Sequence, residues 1–148
     1  MQDILTRDDI VGKKILRVWQ SPWRTYKFDD GYTVESCSTY VELDDNTIFE
    51  IQWQDCCEEL PINKLTLQEN WFEVDWEPLI TNSYSMVIIE VLTSNYIPTF
   101  CLLLSNNHII FASDYGPHQT GPLIDKLGEK YDAEDFVTYW GHNKISAD

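Results

Sequence analysis

The sequence predicts an α+β domain: a meandering antiparallel sheet of about six to eight strands with one or two C-terminal helices packed on it. Three observations predict it. Apolar and polar residues alternate with period two in several segments between Lys14 and Ser113. Clusters of Asp, Asn and Gly, which accept turn backbone, separate those segments. After Pro122 the apolar spacing changes to that of a helix.

In chain order, the segment up to Val11 is expected to form one or two helical turns ending at Gly12. Lys14–Gln20 reads as a strand, stopped by Ser21-Pro22. Tyr26–Val34 reads as a hairpin around Asp30-Gly31, since both residues tolerate positive φ. A second hairpin joins Thr39–Leu43 to Thr47–Gln54 through Asp44-Asp45-Asn46. On its return strand Phe49, Ile51 and Trp53 share one face, and Glu50 and Gln52 the other. Asn63–Gln68 alternates with Leu65 and Leu67 inward. In Trp71–Glu77, Phe72, Val74 and Trp76 are expected inward, and Trp71, Glu73, Asp75 and Glu77 outward. Tyr84–Leu92 and Tyr96–Leu104 read as more fully buried strands, and Ser105-Asn106-Asn107 as a tight turn into His108–Ser113. Beyond it, Leu123, Leu127 and Tyr131 fall at i, i+4 and i+8, predicting a helix that begins at Pro122. Ala133–Trp140 is expected to be a second helix capped by Asp132, burying Phe136, Val137 and Trp140; a strand is the alternative.

No repeat, low-complexity tract or Gly/Ser/Pro-rich linker interrupts the 148 residues, so residues 1–148 read as a single domain. A chain of this length buries roughly 70% of its unfolded surface, enough for a core without staples. The N-terminus has no basic-then-apolar leader pattern, and the longest apolar run, Phe100–Leu104, is too short to span a bilayer. The expected compartment is the cytoplasm.

The net charge of −15 is uneven. Residues 1–28 carry six bases and three acids, giving +3; residues 29–77 carry fourteen acids and one base, giving −13; residues 78–148 carry eight acids and three bases, giving −5. Such a balance opposes direct binding to nucleic acid, which requires basic side chains to displace counterions, and opposes docking on anionic membranes. It favours a basic protein partner. The alternative is a solvated acidic surface that serves solubility.

Motifs for chemistry are missing. There is no Gly-x-Ser-x-Gly step, no Gly-x-x-x-x-Gly-Lys and no Gly-x-Gly-x-x-Gly. Cysteines 37, 56, 57 and 101 include no Cys-x-x-Cys pair, and His108, His118 and His142 lie far from them, so neither a zinc site nor another cofactor is expected. Asp44-Asp45-Asn46 lacks the ligand spacing of a calcium loop. The loop Asp114-Tyr115-Gly116-Pro117-His118 is the most catalysis-like stretch, but an enzyme is not the expected reading.

What remains is an acidic, aromatic surface. Its expected members are Asp44, Asp45, Asp55, Glu58, Glu59, Trp71, Glu73, Asp75 and Glu77, with Trp53 flanking. The last three acids would stand ~7 Å apart along one strand side. Carboxylates steer association and pair with Arg, while Trp supplies a desolvated anchor. In overall character the chain resembles the immunity proteins encoded beside bacterial toxins, including those of contact-dependent inhibition and related polymorphic toxin systems. These are small, single-domain, cytosolic, often strongly acidic proteins without catalytic motifs. The resemblance implies an inhibitor that occludes a basic partner, such as the nuclease domain of a cognate toxin. A nucleic-acid mimic or an adaptor acting on a host or phage protein is the second expectation. The sequence sets no oligomeric state.

Overall fold

A computed structural model describes residues 4–53, 60–74, 87–97, 99–105, 107–116, 119–126, 128 and 131–140, with the backbone alone for 113–116 and 119–126. Among these residues the protein is a β protein with one α-helical turn and one 3-10 turn, and the expected α+β architecture is overturned. Three sheets form. β1 (Ile4–Leu5) pairs with β7 (Ile62–Asn63), after the turn α1 (Arg7–Ile10) has followed β1. A four-stranded sheet runs β6 (Ile48–Glu50), β5 (Thr39–Leu43), β2 (Ile15–Gln20), β8 (Phe72–Glu73). A seven-stranded sheet runs β13 (Val137–Thr138), β9 (Ile88–Thr93), β10 (Cys101–Leu104), β11 (His108–Gly116), β12 (Gln119–Lys126), β4 (Thr33–Ser36), β3 (Arg24–Lys27). All its pairings are antiparallel except β12 with β4, which is parallel.

The core lies where the inner face of the four-stranded sheet meets β9, β10 and β11. Val18, Val41, Leu43 and Phe49 come from the first sheet, and Ile88, Val91, Leu102, Leu104 and Ile110 from the second. The other parity of β10 and β11, Cys101, Ile109 and Phe111, packs with Ile97 and Phe136 in a second cluster. Strands covered on both faces lose their alternation, which is why Phe100–Leu104 is apolar throughout.

The predicted hairpins form. In the first, Phe28 N–H donates to Tyr32 O at 2.7 Å and Gly31 N–H to Phe28 O at 2.9 Å, with Gly31 at φ 87°. The second repeats it, Leu43 N–H to Thr47 O at 2.8 Å and Asn46 N–H to Leu43 O at 2.9 Å, with Asn46 at φ 71°. Asn107, φ 65°, closes the turn into β11 in the same way. Left-handed backbone costs most side chains about 1–2 kcal/mol, and Asn less. Asn46→Val should therefore destabilise by about 1–2 kcal/mol in a urea melt, while Asn46→Gly should be neutral or slightly stabilising.

Both C-terminal helices are absent. The segment from Pro122 is β12, paired with β11 from His108↔Lys126 to Gly116↔Gln119. Three apolar residues at i, i+4, i+8 are weak evidence for a helix when a neighbouring strand offers a full ladder. Pro122 also fits a strand here, because β4 pairs only with Gln119 and Thr120, leaving β12 at residue 122 with a single partner. Ala133–Asp135 is one 3-10 turn, and Asp132 makes no side-chain cap. Val137–Thr138 then pairs with β9. Phe136 and Tyr139, of opposite parity, are buried in the two different core clusters at either end of β13, and Val137 is exposed.

Smaller expectations also shift. Beyond Asn63 no strand continues; Leu65 is half-buried and Leu67 exposed. Leu16 is exposed at a bulge between Ile15 and Arg17. Asp114–Gly116 belongs to β11 rather than to a loop, and His118 lies outside the described residues. No helix is long and apolar enough to cross a membrane among the described residues.

Candidate functional site

The outer face of the four-stranded sheet carries the arrangement most capable of recognition. Val18 and Val41 pair with each other facing inward, so the flanking residues Arg17, Trp19, Tyr40 and Glu42 face outward. The register builds one continuous row. Glu50 stands opposite Tyr40, Tyr40 opposite Trp19, and Trp19 opposite Glu73. A carboxylate therefore ends the row on each side, with two rings between, and successive members are about 4.8 Å apart. Trp71 stacks on the Tyr40 ring at 3.7 Å between centroids and 10° between planes. Trp19, Tyr40 and Trp71 are all half-buried.

The neighbouring row is internally balanced. Arg17 Nε donates to Glu42 Oε1 at 3.2 Å, and Trp19 Nε1 donates to the same oxygen at 2.9 Å. These bonds orient the Trp19 indole and occupy the only buried carboxylate of the row. Glu50 differs. Burial pushes its carboxyl above the usual glutamate range, against a hydrogen bond with Ser38 that pulls it down. No cation stands within salt-bridge distance of it among the described residues. Burial likewise raises the Tyr40 hydroxyl, opposed by a Ser38 hydrogen bond and by the nearby Arg24 charge.

The raised carboxyl has a pH consequence. A folded-state value above the unfolded one means that the fold binds the proton more tightly, so stability falls as pH rises through that window and stays lower at neutrality. Glu50→Gln keeps an acceptor for Ser38 and removes the charge. It should be more stable than the wild type at pH 7, by the order of 1 kcal/mol ordinary for point substitutions, and the difference should shrink towards pH 4 in urea melts.

Of the sequence-predicted residues, Trp71 and Glu73 belong to this face. Asp44 and Asp45 do not: they form the exposed β5–β6 turn, about 13 Å along β5 from Tyr40. Asp45 is also engaged. Burial alone would raise its carboxyl, but hydrogen bonds from Lys13, at 3.0 Å, and from Thr47, with the Lys13 charge, hold it at about 2. Asp55, Glu58, Glu59, Asp75 and Glu77 lie outside the described residues. Phe72, expected inward, is 56% exposed, because it faces Gln20 where β2 has run past the core; Val74 packs against the core as expected.

Sequence reasoning missed Trp19, Tyr40, Glu42 and Glu50 as a unit. Alternation along each strand was a usable signal; the register that aligns them was not available. Elsewhere, Cys37 and Cys101 are buried and form no disulfide. Burial pushes Cys37 up to about 11 and raises Cys101 too, so both are protonated at neutral pH and unsuited to nucleophilic chemistry. No group of three or more His, Cys, Asp or Glu is placed to hold a metal ion among the described residues.

Fold and site together define an acidic β protein presenting an aromatic and carboxylate face. No family model, curated protein or solved structure matches the chain.

Proposed function

We propose that this protein is a cytoplasmic inhibitor of the immunity type, which binds a basic partner protein through the outer face of the β6-β5-β2-β8 sheet. One observation carries the reading: the row Glu50–Tyr40–Trp19–Glu73, with Trp71 stacked on it and Glu50 held in a desolvated position with no salt-bridge cation among the described residues. A partner guanidinium can stack on the exposed side of Trp71 and pair with Glu50 or Glu73. That combination suits Arg better than Lys, since only the planar group stacks and bonds in a fork. The remaining acids of residues 29–77 supply the field that steers a basic partner in. Inhibition would follow from steric occlusion of the partner's basic surface, which in a toxin nuclease is the surface that holds its substrate.

The test is a comparison of two baits. Wild-type protein and a Trp71→Ala/Glu73→Lys variant are each immobilised, exposed to nuclease-treated lysate of the native organism, and washed at stepped salt. The expected result is a basic protein retained by the wild type through moderate salt, lost from the variant, and inhibited stoichiometrically by added wild type. Equal retention on both baits would move the interaction off this face. A retained protein that normally binds nucleic acid, and is displaced by it, would favour the nucleic-acid mimic instead.

A further inference from the structure

A second surface lies at the opposite extreme of composition. In the β3–β4 hairpin, β3 is exposed on both faces and β4 alternates exposed with half-buried residues. Every residue of β3 is exposed, and Trp23, Tyr26, Phe28 and Tyr32 are 40%, 51%, 52% and 42% accessible. Arg24, Tyr26 and Phe28 share one face by strand alternation, together with Val34 and Tyr32 opposite them, and the Phe28 and Tyr32 rings are in contact at 5.9 Å. β3 also ends the seven-stranded sheet, so its outer edge has no partner among the described strands. An aromatic edge strand of this kind is a template for adding another strand.

The hydrogen-bond parity of that edge defines what fits it. Phe28 N–H points inward to Tyr32 O, so Tyr26 and Arg24 also bond inward, and the N–H and C=O groups of Thr25 and Lys27 point outward. Segment 23–28 holds two cations and no acid, which disfavours a basic partner strand. A second copy of the same edge, run antiparallel, fits. Outward groups must meet outward groups, which excludes the register that would set Arg24 against Lys27. In the symmetric register centred on Tyr26, Thr25 and Lys27 of the two copies exchange backbone bonds. Tyr26 then meets Tyr26 across the two-fold axis as a close, non-bonded pair. Each Arg24 faces the Phe28 ring of the other copy, beside its tip acids Asp29 and Asp30, a cation–π and charge contact made twice. Each Lys27 lies across a short Thr25 from Glu35, the residue paired with Thr25 in the hairpin.

We infer that the protein forms a two-fold homodimer by antiparallel pairing of its β3 edges, joining two seven-stranded sheets into one and burying the Tyr26–Phe28 stripe. This interface uses the β3 edge rather than the face of the β6-β5-β2-β8 sheet, and the two surfaces adjoin at Arg24, whose charge reaches the Tyr40 hydroxyl.

Sedimentation velocity over about a hundredfold range of concentration, at about 0.15 M salt, tests it. Wild type should pass from monomer to dimer. Thr25→Pro should weaken association at least about tenfold, because the proline removes an outward N–H that no bond among the described residues uses. In a background with Cys56 and Cys57 replaced by serine, Tyr26→Cys should form a covalent dimer on mild oxidation, and Thr25→Cys should not, since residue 25 meets residue 27. A wild type that stays monomeric throughout, a Thr25→Pro variant that dimerises as well as wild type, or cross-linking through residue 25 instead of 26 would each overturn the proposal.

Discussion

Tyr139→Ala should remove about 3–5 kcal/mol of folding stability, the largest effect expected of any single substitution described here. Tyr139 is fully buried. Its ring packs edge-on against Trp140 at 5.2 Å and tilts against Phe100 at 5.3 Å. Its backbone N–H donates to Val91 O at 2.8 Å, and its hydroxyl donates to Leu60 O. One side chain thus ties the C-terminal segment to β9, to the centre of the core and to the segment leading into β7. Truncation leaves an aromatic-sized cavity and an unpaired carbonyl together. A domain has only about 5–15 kcal/mol in all, so the melting temperature should drop by roughly 10 °C. Tyr139→Phe separates the two contributions. It keeps the ring and loses the hydrogen bond, and should cost about 1–2 kcal/mol. Differential scanning calorimetry of both variants checks this; an Ala variant within 1 °C of the Phe variant would mean that the ring contributes little packing.

That Tyr139 matters is something the sequence does not declare. Asp132, Ala133, Glu134 and Asp135 carry good helix-start chemistry, and Phe136, Val137 and Trp140 lie on one helical arc. In the fold Phe136 and Tyr139 are buried at either end of the β13 pairing, in different core clusters, a pattern that neither a helical nor an alternating period describes. Local preference is nearly balanced there, and pairing with β9 decides it. Gln119–Lys126 is the same case at larger scale: its apolar spacing also suits a helix, and a full ladder with the local partner β11 decides for the strand. The hairpins were legible because their turns are specified by one residue each, Gly31 and Asn46, whose positive φ few other residues accept. Long-range registers were not legible, so the candidate face was recognised only at its Trp71–Glu73 end.

The charge distribution reads differently once paired. The basic excess of residues 1–28 is spent inside the fold: Lys13 binds Asp45 at 3.0 Å, Arg17 binds Glu42 at 3.2 Å, and Arg7 binds Glu90 at 3.0 Å. The exposed Lys13–Asp45 and Arg7–Glu90 pairs contribute about 0–1 kcal/mol each, so their main effect is positional, while Arg17–Glu42 is part-buried. They consume particular acids and leave others. Asp45 and Glu42 are occupied; Glu50 and Glu73, at the two ends of the aromatic row, form no salt bridge among the described residues.

Binding of a short oligoarginine peptide is where this selection should show most clearly. The peptide, followed by tryptophan fluorescence, should bind the wild type, and an oligolysine of equal length should bind more weakly, because Lys cannot stack on the Trp71–Tyr40 pair. Trp71→Ala removes an aromatic anchor of the kind that costs about 2 kcal/mol or more at an interface, so oligoarginine affinity should fall roughly thirtyfold and the preference over oligolysine should vanish. Glu73→Lys, on an exposed strand residue, should preserve folding and cut the association rate steeply at low salt, with the difference shrinking as salt screens the charge. Glu50→Gln should weaken binding while raising stability, the reverse of what damage to the fold would do. The sign follows from the desolvated carboxyl: a guanidinium beside it favours the charged form, so binding releases a proton, and wild-type affinity should decline as pH falls towards 5. With charge spread evenly over an acidic surface, the two peptides would bind alike and Trp71→Ala would change nothing. That outcome would return the acids of residues 29–77 to a solubility role and remove the outer sheet face as the site.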